Sequence, residues 1–277
     1  MACHAISVDV EDWYQSTVDA DAPLSERFVA STHKVLEAFD RHKVRGTFFV
    51  LGLAAEVSPK LVKEIADAGH EVQSHGYGHA LNFDLSEPQF REDLTRAKGM
   101  IEDLTGKEVF GYRAPCFSID ERNMWALDVL AETGHRYDSS IFPVKKSRYG
   151  IDGYPPEPRV IETPRGHALV EAPVACFDWL GKRRAVGGGG YFRLWPYRVI
   201  RKAWRQFEAA DRPGIVYMHP YEYDPTEMAH FRESVTLKLR LHQGLGRASF
   251  PRKVDRLLGE FRFAAIEEVL APLLEQL

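Results

Sequence analysis

The sequence has little cysteine, and its three thiols form no recognisable pattern. Cys3, Cys116 and Cys176 are far apart in 277 residues, and no C-x-x-C pair occurs. An odd number of scattered cysteines is typical neither of a disulfide framework nor of a zinc site built from cysteine. We therefore expect free thiols, as in proteins of a reducing compartment.

Long apolar runs are absent as well. No run approaches the ~20 residues that a helix needs to cross a bilayer. The beginning, MACHAISVDVEDWY, has no basic stretch and no apolar core, and its first carboxylate comes at Asp9. This is not the pattern of a signal peptide. We expect a cytoplasmic protein, which could still reach a substrate at the inner side of a membrane.

The sequence also lacks a strong excess of charge of either sign. It has 36 Lys and Arg against 40 Asp and Glu, which gives a net charge of -4. This balance provides no overall attraction for nucleic acid or for an anionic membrane, and we expect no nucleic-acid partner. Local basic clusters at 182–184 and within 193–205 are interpreted as solvated faces.

Strand-like and helix-like segments alternate over the first 140 residues. The predicted strands include HAISVDV (4–10), VRGTFFVLG (44–52), HEVQSH (70–75), EVFGYRAP (108–115), RYDSSI (136–141) and, later, GIVYMHP (214–220). Helices are predicted over 25–42, from Ser58 to Gly69, from Ser86 to Gly106, from a Ser118–Glu121 capping box to Thr133, and over 196–210. The alternation predicts an α/β fold with a parallel sheet.

One domain with a decorated second half is the simplest organisation. We predict a barrel over 1–222 that includes a Pro- and Gly-rich insertion at 142–192. Residues 223–277 are predicted to form a C-terminal extension packed on the same domain. The sequence contains no internal repeat and no long low-complexity linker that would indicate a second domain.

Side chains with reactive groups stand just after several predicted strands. They are Asp9, Glu11, Asp12, His75, His79, Arg113, Asp138 and His219. The carboxyl ends of parallel strands meet at one side of the sheet, where the active sites of such folds form. Placement therefore predicts that these residues, remote in sequence, converge on one site.

The pair His75 and His79 is the strongest metal-binding candidate. Two imidazoles and a carboxylate from the first strand suit a divalent ion with an open coordination position. Gly76 and Gly78 permit the backbone angles with which a loop could bring both rings to one ion. Taken alone, each residue also has a structural interpretation, such as a buried core histidine for His219.

Five motifs in order resemble those of the NodB-homology polysaccharide deacetylases, carbohydrate esterase family 4. They read SVDVEDW, SHGYGH, YRAP, YDSS and IVYMH, and they span about residues 1–220. The later GGGGYFRLWPY and HPYEYD, with the C-terminal extension, resemble the subgroup associated with exosortase and exopolysaccharide gene clusters. The resemblance implies a distorted, seven-stranded (β/α) barrel with C-terminal decorations.

The resemblance also implies roles for single residues. Asp9 matches the general base, Arg113 the arginine that orients it, and His219 the general acid. Asp138 matches a position that helps to set the charge state of the acid. The two histidines of the second motif match the metal ligands. The implied cofactor is one divalent metal ion, zinc in the first place, with cobalt or nickel as alternatives.

The first motif departs from the family pattern, which has two adjacent aspartates, the base and then a ligand. Here Val10 follows Asp9, so the metal carboxylate is Glu11 or Asp12. Strand alternation would aim Asp9 and Glu11 to the same side, whereas a strand ending at Val10 would free Asp12. We favour Asp12. The second motif has Gly76 where the family often has Ser or Thr.

Substrate-binding candidates come from the third motif and from the late aromatic residues. They are Pro115, Tyr191, Trp195 and Tyr221, with Phe192 and Tyr223 as further aromatics. Their rings could stack on sugars, although packing in the core is an equal alternative for each.

Together these features indicate a metal-dependent polysaccharide N-deacetylase, a hydrolase of non-peptide carbon–nitrogen bonds. Its substrate would be an N-acetylated glycan, namely an exopolysaccharide or its precursor. The protein would associate with a membrane polysaccharide assembly system. Two alternatives remain. One is another hydrolase on the same scaffold, for a ureide or cyclic imide, and Asp9 counts against it. The other is an inactive glycan-binding protein, against which the intact motif residues count.

Overall fold

Eleven β-strands occur in the computed structural model, which describes residues 2–277. They are β1 (His4–Val10), β2 (Thr47–Val50), β3 (Glu71–Ser74), β4 (Gly111–Tyr112), β5 (Tyr137–Asp138), β6 (Arg159–Glu162), β7 (Ala168–Glu171), β8 (Cys176–Trp179), β9 (Lys182–Ala185), β10 (Ile215–Met218) and β11 (Phe263–Ala264). Seven of them lie parallel in the order β10-β1-β2-β3-β4-β5-β7. Strands β1, β2, β3 and β10 are buried along their whole length, as strands covered on both faces are.

The irregular chain after β7 bridges the two outer strands of this sheet. The N–H of Ala175 donates to the carbonyl of Ile215 at 2.9 Å, and the N–H of Tyr217 donates to that of Gly187 at 2.7 Å. Gly188 has a φ of 152°, and a Cβ there would lie 1.8 Å from the Tyr217 carbonyl oxygen, so this approach requires glycine. The sheet is thus a curled half-barrel, and the predicted distorted α/β barrel is confirmed.

Twelve α-helices within residues 2–277 accompany the sheet. They are α1 (Trp13–Thr17), α2 (Glu26–His42), α3 (Gly52–Val57), α4 (Pro59–Asp67), α5 (Glu87–Thr105), α6 (Trp125–Glu132), α7 (Gly189–Leu194), α8 (Tyr197–Ala209), α9 (Glu227–His230), α10 (Leu237–Gly244), α11 (Phe250–Glu260) and α12 (Ile266–Leu274). Ser25 caps α2, a capping box of Ser86 and Gln89 begins α5, and Gly106 ends α5 with a φ of 64°. None of the helices within residues 2–277 is long and apolar enough to cross a membrane.

One prediction about local structure is wrong, and one segment contains strands that were not predicted. The hydroxyl of Ser118 accepts from the N–H of Asn82 at 2.9 Å instead of forming a capping box, and α6 begins only at Trp125. The Pro- and Gly-rich insertion 142–192, for which the sequence analysis predicts no strand, contains four strands. One of them, β7, joins the central sheet beside β5, and β8 and β9 form a separate hairpin.

The C-terminal residues are closely connected to the rest of the chain. The buried guanidinium of Arg247 donates to the carbonyls of Tyr221 and Asp224, at 2.8 and 3.3 Å. The ammonium of Lys253 donates to carbonyls of α7 and of the residue after it. Strand β11 pairs with β1. These contacts hold the segment that follows β10, whereas the division at 222/223 remains a prediction.

Candidate active site

The carboxylate of Glu11 is the centre of a buried cluster beyond the C-terminal ends of the strands. Its Oε2 lies 2.6 Å from Nε2 of His79 and 3.9 Å from Nε2 of His75. Its Oε1 lies 3.2 Å from Nε2 of His219 and 3.4 Å from the hydroxyl of Tyr221. Burial alone would raise the pKa of Glu11, but the imidazoles, His79 first, outweigh it and lower the pKa to about 2. Glu11 is therefore an ionised carboxylate among three histidines.

Glu11, His75 and His79 have the donor set of a metal site. One ligand atom from each lies within 4.8 Å of the other two, and all three residues are buried. Nδ1 of His75 is 2.7 Å from the carbonyl oxygen of Arg113, which directs Nε2 into the cluster. Histidine ligands are commonly oriented in this way through their other nitrogen. Oε2 of Glu11 has no aligned hydrogen-bond donor within residues 2–277. These residues fit a divalent cation.

The loop that carries the two histidines is held from both sides. At the beginning of α3, the N–H groups of Gly52 and Leu53 donate to the carbonyls of Gly76 and Tyr77, at 2.9 and 2.8 Å. On α5, Oδ2 of Asp93 accepts from the N–H of Tyr77 at 2.9 Å. Gly76 has a φ of 77°, and a Cβ there would lie 2.8 Å from this oxygen. The glycine that departs from the family motif therefore makes room for Asp93, which the sequence did not single out.

Asp12 lies apart from the histidines. Its Oδ1 accepts from the N–H of Tyr14 at 2.9 Å, so that Asp12 is the N-cap of α1. Its Oδ2 accepts from the N–H and the hydroxyl of Ser25. Glu11 instead continues the alternation of β1 on the side of Asp9. This placement counts against our preference for Asp12 and favours Glu11 as the ligand.

Arg113 holds Asp9 from inside the sheet. Its Nη1 donates to Oδ1 of Asp9 and to the hydroxyl of Ser7, both at 2.7 Å. Its Nη2 donates to the hydroxyl of Ser139 at 2.9 Å, and the guanidinium lies over the ring of Phe49 at 4.3 Å. Because Arg113 binds one carboxylate oxygen of Asp9, the other is available to accept a proton. Ser7 and Ser139 were not predicted, because only the fold brings them to Arg113.

His219 is held by a carboxylate that the sequence prediction did not include. Oε2 of Glu222 accepts from the N–H of His219 at 3.2 Å and lies 3.6 Å from Nδ1 of its ring. Glu222 also pairs with Nε of Arg193 at 3.0 Å, and the ring of Tyr221 stacks on the imidazole at 4.6 Å. Burial would lower the pKa of His219, but the charges of Glu11 and Glu222 outweigh it and raise the pKa. A protonated imidazole, as a general acid requires, is favoured.

The contacts of Asp138 do not favour the role that the resemblance implies, which is to set the charge state of His219. Oδ1 of Asp138 accepts from the hydroxyl of Ser140 at 2.5 Å, and Asp138 is the register partner of Glu171 across β5 and β7. Its neighbour Ser139 faces the guanidinium, so alternation turns Asp138 away from the catalytic candidates. Burial raises the pKa of Asp138 to about 6 and that of Glu171 well above its ordinary value. The two form a buried carboxyl pair, and Glu222 is the residue beside the acid.

The four substrate-binding candidates lie in different surroundings. Tyr221 stacks on the imidazole of the acid, and the buried Pro115 begins the turn after the YRAP motif. Tyr191 is half-buried in an aromatic cluster beside β10. Nε1 of Trp195 donates to the carbonyl of Ala185 at 3.0 Å, and its ring packs against the β8–β9 hairpin. Trp195 is therefore not brought to the site.

Two family models match consecutive parts of the chain. Residues 14–137 match the model of the polysaccharide deacetylases. This segment, just under half of the chain, is similar to the polysaccharide deacetylases. Residues 139–271 match a domain of unknown function, DUF3473. Asp9 precedes the deacetylase match and His219 lies in the second match, so the candidate site draws on the chain outside the deacetylase segment.

A curated relative aligns with about half of the chain. The chain is 29% identical over 147 residues to a peptidoglycan deacetylase of Helicobacter pylori, an alignment that covers 51% of this chain and 49% of that protein. The chain thus spans about half the length of this relative.

Solved structures show the same fold over nearly the whole chain. A candidate polysaccharide deacetylase from Mycobacterium smegmatis aligns with a TM-score of 0.66 and 22% identity, over 99% of this chain and 91% of its own. Puue allantoinase aligns with a TM-score of 0.64 and 15% identity, over 98% and 89%. At these identities the likeness shows the fold alone, and hydrolases of different substrates share it.

Proposed function

We propose that this protein is a metal-dependent N-deacetylase, which hydrolyses the acetamide of N-acetylhexosamine residues in a glycan. One observation carries the proposal. Asp9, paired with Arg113, precedes Glu11 by two residues, and Nε2 of His219 lies 3.2 Å from Oε1 of Glu11, whose Oε2 belongs to the metal-binding set. A base, an acid and a site for a Lewis acid are the three components that hydrolysis of an unactivated amide needs.

The ligands in this proposal are Glu11, His75 and His79. A divalent ion held by these residues would supply Lewis-acid chemistry, polarising an amide carbonyl and favouring ionisation of water. Two imidazoles and one carboxylate suit zinc, with cobalt or nickel as alternatives. The peptide carbonyl that fixes Nδ1 of His75 keeps its Nε2 directed into the Glu11 cluster.

Asp9 is the proposed general base. Its buried carboxylate is held at one oxygen by Arg113, so the other can take a proton from the attacking water. Ser7 and Ser139 hold the guanidinium in turn, which limits the motion of the base. Such positioning is part of what makes general base catalysis effective.

His219 is the proposed general acid. Its ring donates a proton to the leaving amine, so the products are acetate and a free amino sugar. Glu222, held by Arg193, stabilises the charged imidazole at Nδ1, whereas Nε2 faces Glu11. Tyr221, stacked on the ring, restricts its rotation.

We extend the proposal to the polymer and its location. The substrate is an exopolysaccharide or its precursor, and the protein hydrolyses it in the cytoplasm, next to a membrane polysaccharide assembly system. Its support is the resemblance of the C-terminal segments to the exosortase-associated subgroup. Peptidoglycan is the alternative polymer that the name of the Helicobacter pylori relative suggests. Acetate release from soluble fragments of each polymer would distinguish them.

Hydrolysis of a ureide or cyclic imide is the second candidate function, because the fold of Puue allantoinase covers 98% of the chain. The test is to load the metal-free protein with zinc, cobalt or nickel and to offer N-acetylated oligosaccharides and allantoin separately. We expect acetate from the oligosaccharides and no ring opening of allantoin. Ring opening without acetate would support the second function, and binding of oligosaccharides without turnover of either substrate would indicate an inactive glycan-binding protein.

A further inference from the structure

Four leucines with mostly exposed side chains lie together in the C-terminal half. Leu237, Leu241 and Leu245 are 60%, 64% and 62% exposed, and Leu194 is 55% exposed. Their spacing of four places Leu237 and Leu241 on one side of α10, and Leu245 follows directly as the C-cap of this helix. Nη1 of Arg193 donates to the carbonyl of Leu245 at 3.3 Å, so Leu194, at the end of α7, adjoins the end of α10. We call these four residues the leucine face.

The fold gives no reason for this exposure. No residue of α10 is buried, so the helix contributes little to the core. Residues 2–277 expose eight large hydrophobic side chains, and the leucine face holds four of them. Scattered exposed leucines need no explanation, but a contiguous group commonly marks a surface that meets another apolar phase.

The segment around the leucine face has no carboxylate. The chain as a whole has a net charge of -4, yet residues 234–254 contain no Asp or Glu. The same segment contains five cationic residues, Lys238, Arg240, Arg247, Arg252 and Lys253. Arg247 is buried and Lys253 is bound to carbonyls, whereas Lys238 is exposed on α10 beside the leucines.

We propose that the leucine face binds to the surface of an anionic lipid bilayer. An amphipathic helix with leucines on one side and cations beside them places its apolar side at the headgroup boundary, and its cations attract anionic headgroups. Charge favours lipid over a protein partner, because a partner would need a matching acidic rim, whereas an anionic bilayer supplies negative charge everywhere. The eight residues of α10 suit a helix that lies in the surface.

The leucine face is connected to the candidate active site through Arg193. This side chain donates to the carbonyls of Gln243 and Leu245 and pairs with Glu222, which holds His219. Membrane binding through α10 would therefore bring the site close to the bilayer, where a lipid-attached glycan is available. This consequence rests on the proposed function, whereas the binding itself does not.

The test is co-sedimentation of the full chain with vesicles, without any substrate. Vesicles of equal parts phosphatidylglycerol and phosphatidylcholine should bind the protein, and added salt should weaken the binding. Vesicles of phosphatidylcholine alone should bind it poorly. The variant L237S/L241S/L245S should lose about tenfold or more in partitioning, since it removes the buried apolar area. Lys238→Glu should weaken binding to the anionic vesicles as well.

Val57→Ser is the matched control, because Val57 is 56% exposed at the end of α3. It should sediment like the wild type. All three variants change exposed side chains, so each should keep the unfolding temperature and the acetate release from a short soluble substrate. The proposal is overturned if the wild type stays in solution with anionic vesicles, or if the triple variant sediments unchanged. It is also overturned if light scattering shows a dimer that the triple variant converts to monomers.

Discussion

Oδ1 of Asp9 lies 2.7 Å from Nη1 of Arg113, and both side chains are buried. A buried ion pair of this kind is sensitive to the loss of one partner, because the remaining charge has no compensation. We expect Arg113→Ala to lower the free energy of unfolding by about 3–5 kcal/mol, as measured by urea denaturation.

Arg122→Ala is the matched control for Arg113. Arg122 also pairs with an aspartate at 2.7 Å, but 55% of its side chain is exposed. Its loss should cost less than about 1 kcal/mol. Equal losses for the two variants would show that burial of the Asp9–Arg113 pair has no particular energetic consequence.

The metal prediction separates Glu11 from Asp12. We expect Glu11→Gln to lower the metal content of the purified protein strongly, and His75→Ala combined with His79→Ala to abolish it. Asp12→Ala should keep the metal and lose about 0.5–2 kcal/mol of stability, because Asp12 is a helix cap. Elemental analysis with urea denaturation measures both. Metal loss in Asp12→Ala with retention in Glu11→Gln would reverse the assignment.

The pH profile of acetate release tests the role of Glu222. The charges of Glu11 and Glu222 raise the pKa of His219 against the effect of burial. Activity should fall when the pH rises through this pKa, because the acid then loses its proton. Glu222→Gln removes one negative charge, so the alkaline limb should move to lower pH. Asp138→Asn, which changes a carboxyl group away from the acid, should leave that limb in place. A shift in Asp138→Asn alone would return Asp138 to the role that the family resemblance implied.

The carboxyl pair of Asp138 and Glu171 predicts a pH-dependent stability. Burial raises the pKa of Asp138 from 3.8 to about 6, so between these values the folded state holds more protons than the unfolded state. The contribution is present below the unfolded pKa and is lost as the pH rises through about 6. In Asp138→Asn, the decrease in the free energy of unfolding over this pH range should be smaller by on the order of 1–3 kcal/mol. Urea denaturation at several pH values measures it. An unchanged slope would show that the pair is not protonated on folding.

Local signals predicted the beginnings and ends of several helices well. Ser25 and Ser86 cap α2 and α5, and Gly106 ends α5, because caps depend on residues within one turn. Ser118 has the same signature, but its hydroxyl is used by Asn82 from a distant segment. Strand β7 was missed because it gains its place from pairing with β5, which is 30 residues away in sequence.

The candidate site was predictable where a motif carried it. His75, His79, Arg113 and His219 converge as their position after strands predicted. The choice between Glu11 and Asp12 depended on which of the two residues caps α1. The alternation of side chains along β1 does not predict the position of this cap. Glu222, Arg193 and Asp93 act by tertiary contacts, so sequence spacing gave no sign of them, except that Glu222 stands three residues after His219.

The central claim is that Asp9 takes the proton of the attacking water while Glu11, His75 and His79 hold the metal. The most direct test is acetate release from an N-acetylated oligosaccharide by Asp9→Asn, with metal content measured on the same sample. We predict that the variant keeps its metal and loses activity by about a hundredfold to ten-thousandfold, as is typical when a general base is removed. A variant that stays active, or that is silent only because its metal is gone, would contradict the claim.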